Sequence, residues 1–234
     1  MPSLGLGLGI NVSRGLLERN PIPGLSPLMW LDASALTGYE EDDVVDQVID
    51  ATGNGNNGTQ SVFAQMPLYK TTGIGGKPAL LFDGVDDWLE VPFTTGVAQY
   101  FAVLKSSTST WNGFWGILEA ALTGGAHNTF ARWGLVSQGQ TYFHNDPAPS
   151  GVRKNGVALS APFDCGTITS PMILAVETAN GGAVSEARGI FQLQQTFFGQ
   201  GQLAELVAFS AVQSAENSAA IESHLARKYS ITLP

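Results

Sequence analysis

Short apolar segments separated by turn-forming residues run through the sequence from Leu28 onward. Each segment is long enough for a β-strand and too short for a helix, and the glycine, asparagine, aspartate and proline residues between them favour tight turns. A series of at least eight such strands predicts a mostly β sandwich. The predicted strands cover residues 79–82, 88–91, 100–104, 114–119, 129–135, 141–144, 172–176 and 203–209.

Two local patterns predict further elements. The Asn-Gly pair at 155–156 favours a two-residue turn with positive φ at both positions, which predicts a β-hairpin. Near the carboxyl end, Ser214 can cap a helix in which Ile221, Leu225 and Tyr229 recur every fourth residue on one face. We expect this helix to pack its apolar face against a sheet.

The amino terminus has a different pattern, in which large apolar residues alternate with glycine. Such a strand gains little alone, because glycine costs backbone entropy and adds no packing, so we predict an arm that docks on another chain. A disordered tail is the alternative. Three prolines within 20–27 indicate a linker, which gives an arm and linker at 1–27 and a folded domain at 28–234. The apolar arm residues are Leu4, Leu6, Leu8 and Ile10.

Composition excludes several classes of partner. Eleven Lys and Arg against twenty Asp and Glu give a net charge of -9, which disfavours nucleic acid because phosphate binding needs a cationic face. No apolar segment is long enough to predict a membrane span. The single cysteine, Cys165, predicts a buried thiol rather than a disulfide. The first residues lack the basic start of a secretory leader, so we expect the chain to stay in the cell or to leave it within a particle.

Three parts of the sequence carry a family pattern. The first is Leu-Met-Trp-Leu-Asp-Ala-Ser at 28–34, continued at 50–60; the second and most specific is 73–91, centred on Leu-Phe-Asp-Gly-Val-Asp-Asp-Trp; the third joins 203–209 to 219–229. Together they resemble the laminin-G-like, concanavalin A-like domains carried by bacteriophage virion proteins and bacterial surface proteins. The resemblance implies a concanavalin A-like jelly-roll sandwich of two antiparallel sheets, with one carboxyl-terminal helix and an extended amino-terminal arm.

The second part contains three carboxylates, those of Asp83, Asp86 and Asp87, in a predicted turn around Gly84. Each can accept hydrogen bonds from turn amides, which predicts a structural role. Clustered carboxylates also suit calcium, although their spacing differs from the Asp-x-Asp-x-Asp-Gly loop. Calcium is therefore the alternative interpretation, and no other cofactor is predicted.

Candidate catalytic residues are not recognisable in the sequence. Glycosidases of the concanavalin A-like superfamily carry carboxylates on alternate residues of one strand, and no Glu-x-Asp-x-Glu segment occurs here. Glu119 and Glu205 stand alone in apolar strands, where a buried, hydrogen-bonded role is favoured. The three histidines lack metal-ligand spacing. For ligand binding, Trp111 beside Asn112 is the favoured candidate, because sugar sites combine a flat ring with polar groups.

These patterns favour a non-enzymatic bacteriophage virion structural protein, such as a head decoration, a head fibre or a tail-associated protein. The arm is expected to contact other virion proteins, and the chain to form a homo-oligomer that displays the domain for attachment to a host-surface glycan. The expected location is the virion. A free carbohydrate-binding lectin module is the alternative, and a polysaccharide-cleaving enzyme is disfavoured by the missing carboxylate strand.

Overall fold

The computed structural model describes residues 20–92, 96–107, 119–120, 149–161, 163–177, 188–193 and 197–234. Several sequence predictions lie outside this part of the chain. They are the apolar arm residues Leu4, Leu6, Leu8 and Ile10, the Trp111 and Asn112 pair, the predicted strand at 114–119 except its last residue, and the predicted strands at 129–135 and 141–144.

The described residues are mostly β and contain fifteen short strands. In chain order these are β1 (Met29–Asp32), β2 (Gln47–Val48), β3 (Gly58–Thr59), β4 (Leu68–Lys70), β5 (Ala79–Asp83), β6 (Leu89–Val91), β7 (Gln99–Ser106), β8 (Glu119–Ala120), β9 (Gly151–Lys154), β10 (Val157–Ala158), β11 (Met172–Glu177), β12 (Arg188–Ile190), β13 (Gln192–Leu193), β14 (Phe197–Phe198) and β15 (Gln200–Phe209).

Two antiparallel sheets contain thirteen of these strands. The large sheet has the order β10-β9-β11-β7-β15-β5-β4, and β1 pairs with the second half of β15. The small sheet has the order β2-β3-β6-β12-β8. The predictions of strands at 79–82, 100–104, 172–176 and 203–209 are confirmed by β5, β7, β11 and β15, and the prediction at 88–91 is confirmed by β6, which starts one residue later.

The two sheets pack face to face around one apolar core. Leu31, Phe82 and Leu174 of the large sheet share this core with Leu89 and Ile190 of the small sheet. Successive residues of β7 alternate between this core and a second core on the opposite face of the large sheet. The central strands are therefore buried on both faces, which explains why their sequences are almost continuously apolar.

A carboxyl-terminal helix, α1 (Ala215–Lys228), covers the second core. The Ser214 side chain accepts a hydrogen bond from Asn217 N (3.1 Å), so the predicted cap is confirmed. Ile221 and Leu225 are fully buried against the sheet, and Tyr229 is buried just beyond the last turn. The described layers are thus small sheet, large sheet and helix. No described helix is long and apolar enough to cross a membrane.

A β-bulge in β15 changes which side chains face the helix. Leu203 pairs with Leu104 and Glu205 pairs with Val103, so Ala204 is an extra residue in the strand. Strict alternation from Leu203 would direct Glu205 into the core between the sheets. Because of the bulge, its carboxylate reaches residues on the helix side instead.

The Glu205 carboxylate is fully buried and hydrogen-bonded, as its isolated position in an apolar strand predicts. It accepts from Trp30 Nε1 (2.7 Å), Lys228 Nζ (2.7 Å) and Tyr229 OH (2.8 Å). Lys228 also donates to Asp32 (2.6 Å). Burial and the nearby Asp32 charge raise the pKa of Glu205, and Lys228 opposes that shift.

A second buried carboxylate joins the helix to the predicted hairpin. Strands β9 and β10 form that hairpin around Asn155 (φ 49°) and Gly156 (φ 83°), which confirms the Asn-Gly turn. Glu222 of α1 accepts from Arg153 Nη2 (2.8 Å) and Nε (3.1 Å) and from the turn amide of Gly156 (3.2 Å). Two buried carboxylates, those of Glu205 and Glu222, therefore link the helix side to the large sheet.

The described part of the proline-rich segment is attached to the domain. Ile22 is fully buried in the helix-side core. Asn54 Nδ2 donates to Leu28 O (3.0 Å), as does Asn56 Nδ2 (2.9 Å). Elsewhere, Cys165 is buried as predicted, and burial raises the pKa of its thiol to about 12.

Candidate functional site

The turn between β5 and β6 is held by its own aspartates. Asp83 Oδ1 accepts from Val85 N (2.7 Å) and Asp86 N (3.3 Å), and Asp87 Oδ2 accepts from Asp83 N (2.9 Å). Gly84 has a φ of 79°, and a Cβ there would lie 2.7 Å from the Cβ of Gln200. Glycine is therefore required where this turn approaches β15.

The same turn is a group of carboxylates that could hold a cation. Ligand oxygens of Asp83, Asp86 and Asp87 lie within 4.8 Å of one another. Burial raises the pKa of Asp87 to about 7, and the charges of Asp83 and Asp86 add to that shift. Oxygen ligands suit calcium, which stays an untested prediction.

The outer face of the small sheet carries a row of paired residues, of which Gln47, Thr59 and Glu90 are half-buried and Gly189 is buried. Gln47 pairs with Thr59, Thr59 with Glu90, and Glu90 with Gly189. Their strand neighbours Val48 and Leu89 belong to the core, so Gln47 and Glu90 face away from it. Gly189 in turn pairs with Glu119, which puts a second glutamate at a register position in the same row.

A groove of about 400 Å³ lies over this row. Its lining combines one indole ring, two carboxylates and a set of neutral hydroxyl and amide groups. The lining residues are Asp46, Gln47, Thr59, Gln60, Ser61, Trp88 and Glu90.

Trp88 is the aromatic wall of the groove, and three hydrogen bonds fix it. Its backbone N donates to Gln65 O (3.1 Å), its indole Nε1 donates to Gln65 Oε1 (3.4 Å), and its carbonyl accepts from Gln60 Nε2 (3.3 Å). Gln65 is the last residue of a short 3-10 helix, Phe63–Gln65, in which Phe63 is 71% exposed. A half-buried indole held in this way offers a preorganised flat surface.

The two carboxylates of the groove differ in their hydrogen-bond partners from those of Glu205 and Glu222, which lie between the helix and the large sheet and are paired with cations. Asp46 accepts from Tyr39 OH (3.2 Å), and no donor reaches the Glu90 carboxylate from the residues that the structure describes. The lining residues that the structure describes include no lysine, arginine or histidine. The groove is therefore polar, aromatic and negatively charged.

A second cavity of about 400 Å³ lies beside the proline-rich segment, near Trp30. Its polar groups are occupied by the fold, because Trp30 Nε1 donates to Glu205 and Asn54 donates to Pro27 O (3.2 Å) and Leu28 O. The groove over the small sheet leaves more polar atoms available to a ligand. It is the better candidate site.

The sequence-based choice of Trp111 and Asn112 as a ligand surface lies outside the described residues. The groove at Trp88 was not found from the sequence, because Gln47, Thr59 and Glu90 lie far apart in the chain. Their juxtaposition depends on strand register, which local patterns do not reveal. Glu119 was read as an isolated residue for the same reason.

Comparisons with known proteins add little to this description. No family model and no curated protein matches the sequence. Among solved structures, the chain is similar to Trypanosoma rangeli sialidase in complex with sialic acid, with 11% identity and a TM-score of 0.46 over 88% of this chain and 34% of that chain. The same sialidase with 2,3-difluorosialic acid gives 12% identity and a TM-score of 0.44 over 88% and 34%.

The chain spans about a third of the length of these sialidase chains. At this identity and TM-score the similarity identifies neither a family nor an activity. The fold and the site define the class of protein without these comparisons. The described chain is mostly β, with two antiparallel sheets and a helix that covers the outer face of the large sheet. On its other outer face lies an open groove with an aromatic wall.

Proposed function

We propose that this chain is a non-enzymatic, glycan-binding virion module of a bacteriophage, built on a concanavalin A-like jelly roll. The observation that carries the glycan-binding part is the groove at Trp88. Sugars present an apolar ring face and a rim of hydroxyls, so their sites pair a flat aromatic ring with several hydrogen-bonding side chains. The groove provides both, with Gln47, Thr59 and Glu90 beside the indole.

The fold supports the choice of this surface. The opposite outer face, that of the large sheet, is covered by α1 and by the segment around Ile22. The groove lies on the face that the helix leaves open. A virion protein attached through its amino-terminal arm could present this face to a host glycan without rearranging its core.

The virion part of the proposal rests on the sequence. The alternating arm at 1–10 suits a segment that pairs with a neighbouring virion protein, and the resemblance at 73–91 is of the type carried by virion proteins. Homo-oligomers fit such a setting, because weak single sites gain avidity when several copies act together. The proposal needs no cofactor.

One variant tests glycan binding directly. We expect Trp88→Ala in the full chain to weaken binding to a glycan identified on an array by at least about tenfold, because the stacking surface is lost. Val212→Ala is the matched control, since Val212 is exposed outside the groove lining. Both variants should keep the unfolding temperature close to that of the wild type. Failure to bind any glycan, or equal binding by Trp88→Ala, contradicts the proposal.

The virion part needs its own experiment. We expect mass spectrometry of purified particles to detect the chain, and a chain without residues 1–19 to fold but not to enter particles. Full incorporation of the shortened chain would contradict the anchoring role of the arm.

One observation favours a second candidate function, glycan hydrolysis. Glu90 and Glu119 lie on either side of Gly189 in one row, and two strand spacings place their backbones roughly 10 Å apart. Inverting glycosidases use two carboxyl groups about 6.5–9.5 Å apart. Release of new reducing ends by the wild type, and its loss in both Glu90→Gln and Glu119→Gln, would replace binding by hydrolysis as the function.

A further inference from the structure

We propose that the glycan bound in the groove carries a free amino group, whose protonated form pairs with Glu90. This inference rests on the proposed glycan-binding function and adds the chemical class of the ligand.

The charge of the groove is the first argument. Two of its seven described lining residues are carboxylates and none of the seven is a cation. The whole chain adds to the negative potential, with a net charge of -9. A sugar that carries a carboxylate, sulfate or phosphate would be repelled at the groove and during approach, whereas an amino sugar would be attracted.

The surroundings of Glu90 are the second argument. Its carboxylate faces away from the core, and within the described chain it has neither a cation nor a hydrogen-bond donor. The neighbouring row position on one side is Gly189, which is buried and has no side chain of its own. The neighbour on the other side, Thr59, is small and neutral. A ligand group can therefore reach this carboxylate from within the groove.

Two other carboxylates of this protein, both fully buried, show how the chain compensates such a charge with a cation. Glu205 is paired with Lys228, and Glu222 with Arg153. Among the described residues Glu90 has no equivalent partner, and a ligand ammonium can supply one. A charge-assisted hydrogen bond to a carboxylate is roughly twice as strong as a neutral one, which favours an amine over a hydroxyl or an N-acetyl group at that point.

The test compares three oligosaccharides of equal length with the full chain by calorimetry at low salt. They are a glucosamine oligomer with free amines, its fully N-acetylated counterpart and a galacturonic acid oligomer. We expect the free-amine oligomer to bind about five- to tenfold more tightly than the N-acetylated one, and the acidic oligomer to show no binding. The preference should fall as pH rises through the pKa of the amine and as salt is added.

Glu90→Gln separates the contact at Glu90 from the overall charge. We expect this isosteric variant to lose most of the preference for the free amine, so that it binds the free-amine and N-acetylated oligomers with affinities within about twofold of each other. Glu216→Gln is the control, because it removes the same charge from the exposed first turn of α1 and should keep the preference.

The outcomes distinguish this inference from the function on which it rests. Trp88-dependent binding that is equal for the three oligomers, or strongest for the acidic one, overturns the amine inference and leaves glycan binding in place. A preference that Glu90→Gln and Glu216→Gln reduce equally also overturns it, since net charge alone would then explain the preference. Absence of Trp88-dependent binding to any glycan on the array overturns the proposed function itself.

Discussion

The two outer faces of this protein use carboxylates in opposite ways. On the face of the large sheet, Glu205 and Glu222 are buried and satisfied by cations and donors of the chain itself. On the face of the small sheet, Glu90 lines a groove in which none of the described lining residues is a cation. The first pair of carboxylates attaches the helix to the sheet. The carboxylate of the second face is available to a partner from outside.

This difference provides a criterion for separating structural from functional carboxylates. Removing a buried ion-pair partner leaves the other charge without compensation, so a structural carboxylate should be costly to remove. Removing an available carboxylate should leave stability unchanged and alter binding. Four substitutions test the distinction, and their expected effects on stability decrease in the order given.

The largest effect is expected for Glu205→Ala. It leaves Trp30 Nε1 and the Tyr229 hydroxyl without their acceptor and deprives Lys228 of one of its two carboxylates. We expect the free energy of unfolding to fall by about 3–4 kcal/mol, measured by urea denaturation. Glu216→Ala on the exposed helix surface is the control and should change it by less than about 0.5 kcal/mol. A cost below about 1 kcal/mol would contradict the structural role of Glu205.

The buried role of Glu205 could be predicted from the sequence, but its partners could not. A lone glutamate in an apolar strand indicates a satisfied buried group. The bulge at Ala204 directs it to the helix side, and nothing in the local sequence marks that bulge, because Leu-Ala-Glu-Leu fits a regular strand equally well. The helix, the hairpin and five strands were predictable since each depends on local periodicity or on a turn signal.

A smaller loss is expected for Glu222→Ala. Its partner Arg153 is about a third exposed, so water can solvate the guanidinium once the carboxylate is gone. The Gly156 amide also loses its acceptor. We expect about 2 kcal/mol in the same urea experiment, with a loss of amide exchange protection confined to the β9–β10 hairpin and α1. Uniform loss of protection throughout the large sheet would argue against a local contact.

Asp87 lies in the turn that joins β5 of the large sheet to β6 of the small sheet, directly before Trp88. The contribution of its carboxyl group to the stability of the protein should depend on pH. Burial raises its pKa to about 7 from a usual value near 3.8, so between these pH values the folded state binds a proton that the unfolded state lacks. Stability should therefore fall as pH rises from about 4 to 7 and stay low above pH 7. Asp87→Asn keeps an acceptor for Asp83 N. We expect this variant to show a weaker decrease of the unfolding temperature between about pH 4 and pH 7 than the wild type.

The same measurement tests calcium at this turn. If Asp83, Asp86 and Asp87 bind the ion, calcium should raise the unfolding temperature of the wild type at pH 8 and leave Asp87→Asn less affected. An unfolding temperature of the wild type that calcium does not change supports the structural interpretation of the turn.

The groove illustrates what a single sequence does not reveal. The motif at 73–91 identified the turn around Gly84 and included both Trp88 and Glu90, but neither was read as a ligand residue. Gln47 and Thr59 are brought beside Glu90 by the pairing of strands only two or three residues long. Such short strands have weak periodicity, so neither their existence nor their register follows from the sequence.

The smallest effect on stability is expected for Glu90→Gln, and it is the most informative for the comparison. Glutamine has the same shape, and no described donor or cation loses a partner when the charge is removed. We expect the free energy of unfolding to change by less than about 0.5 kcal/mol at pH 7, and the slope of the urea transition to stay the same. Gln47→Ala, a neutral change in the same row, is the matched control for effects on the sheet surface. A loss comparable to that of Glu222→Ala would place Glu90 with the structural carboxylates. An unchanged stability together with altered glycan binding would place it at the site, because only a partner from outside the chain would then detect its charge.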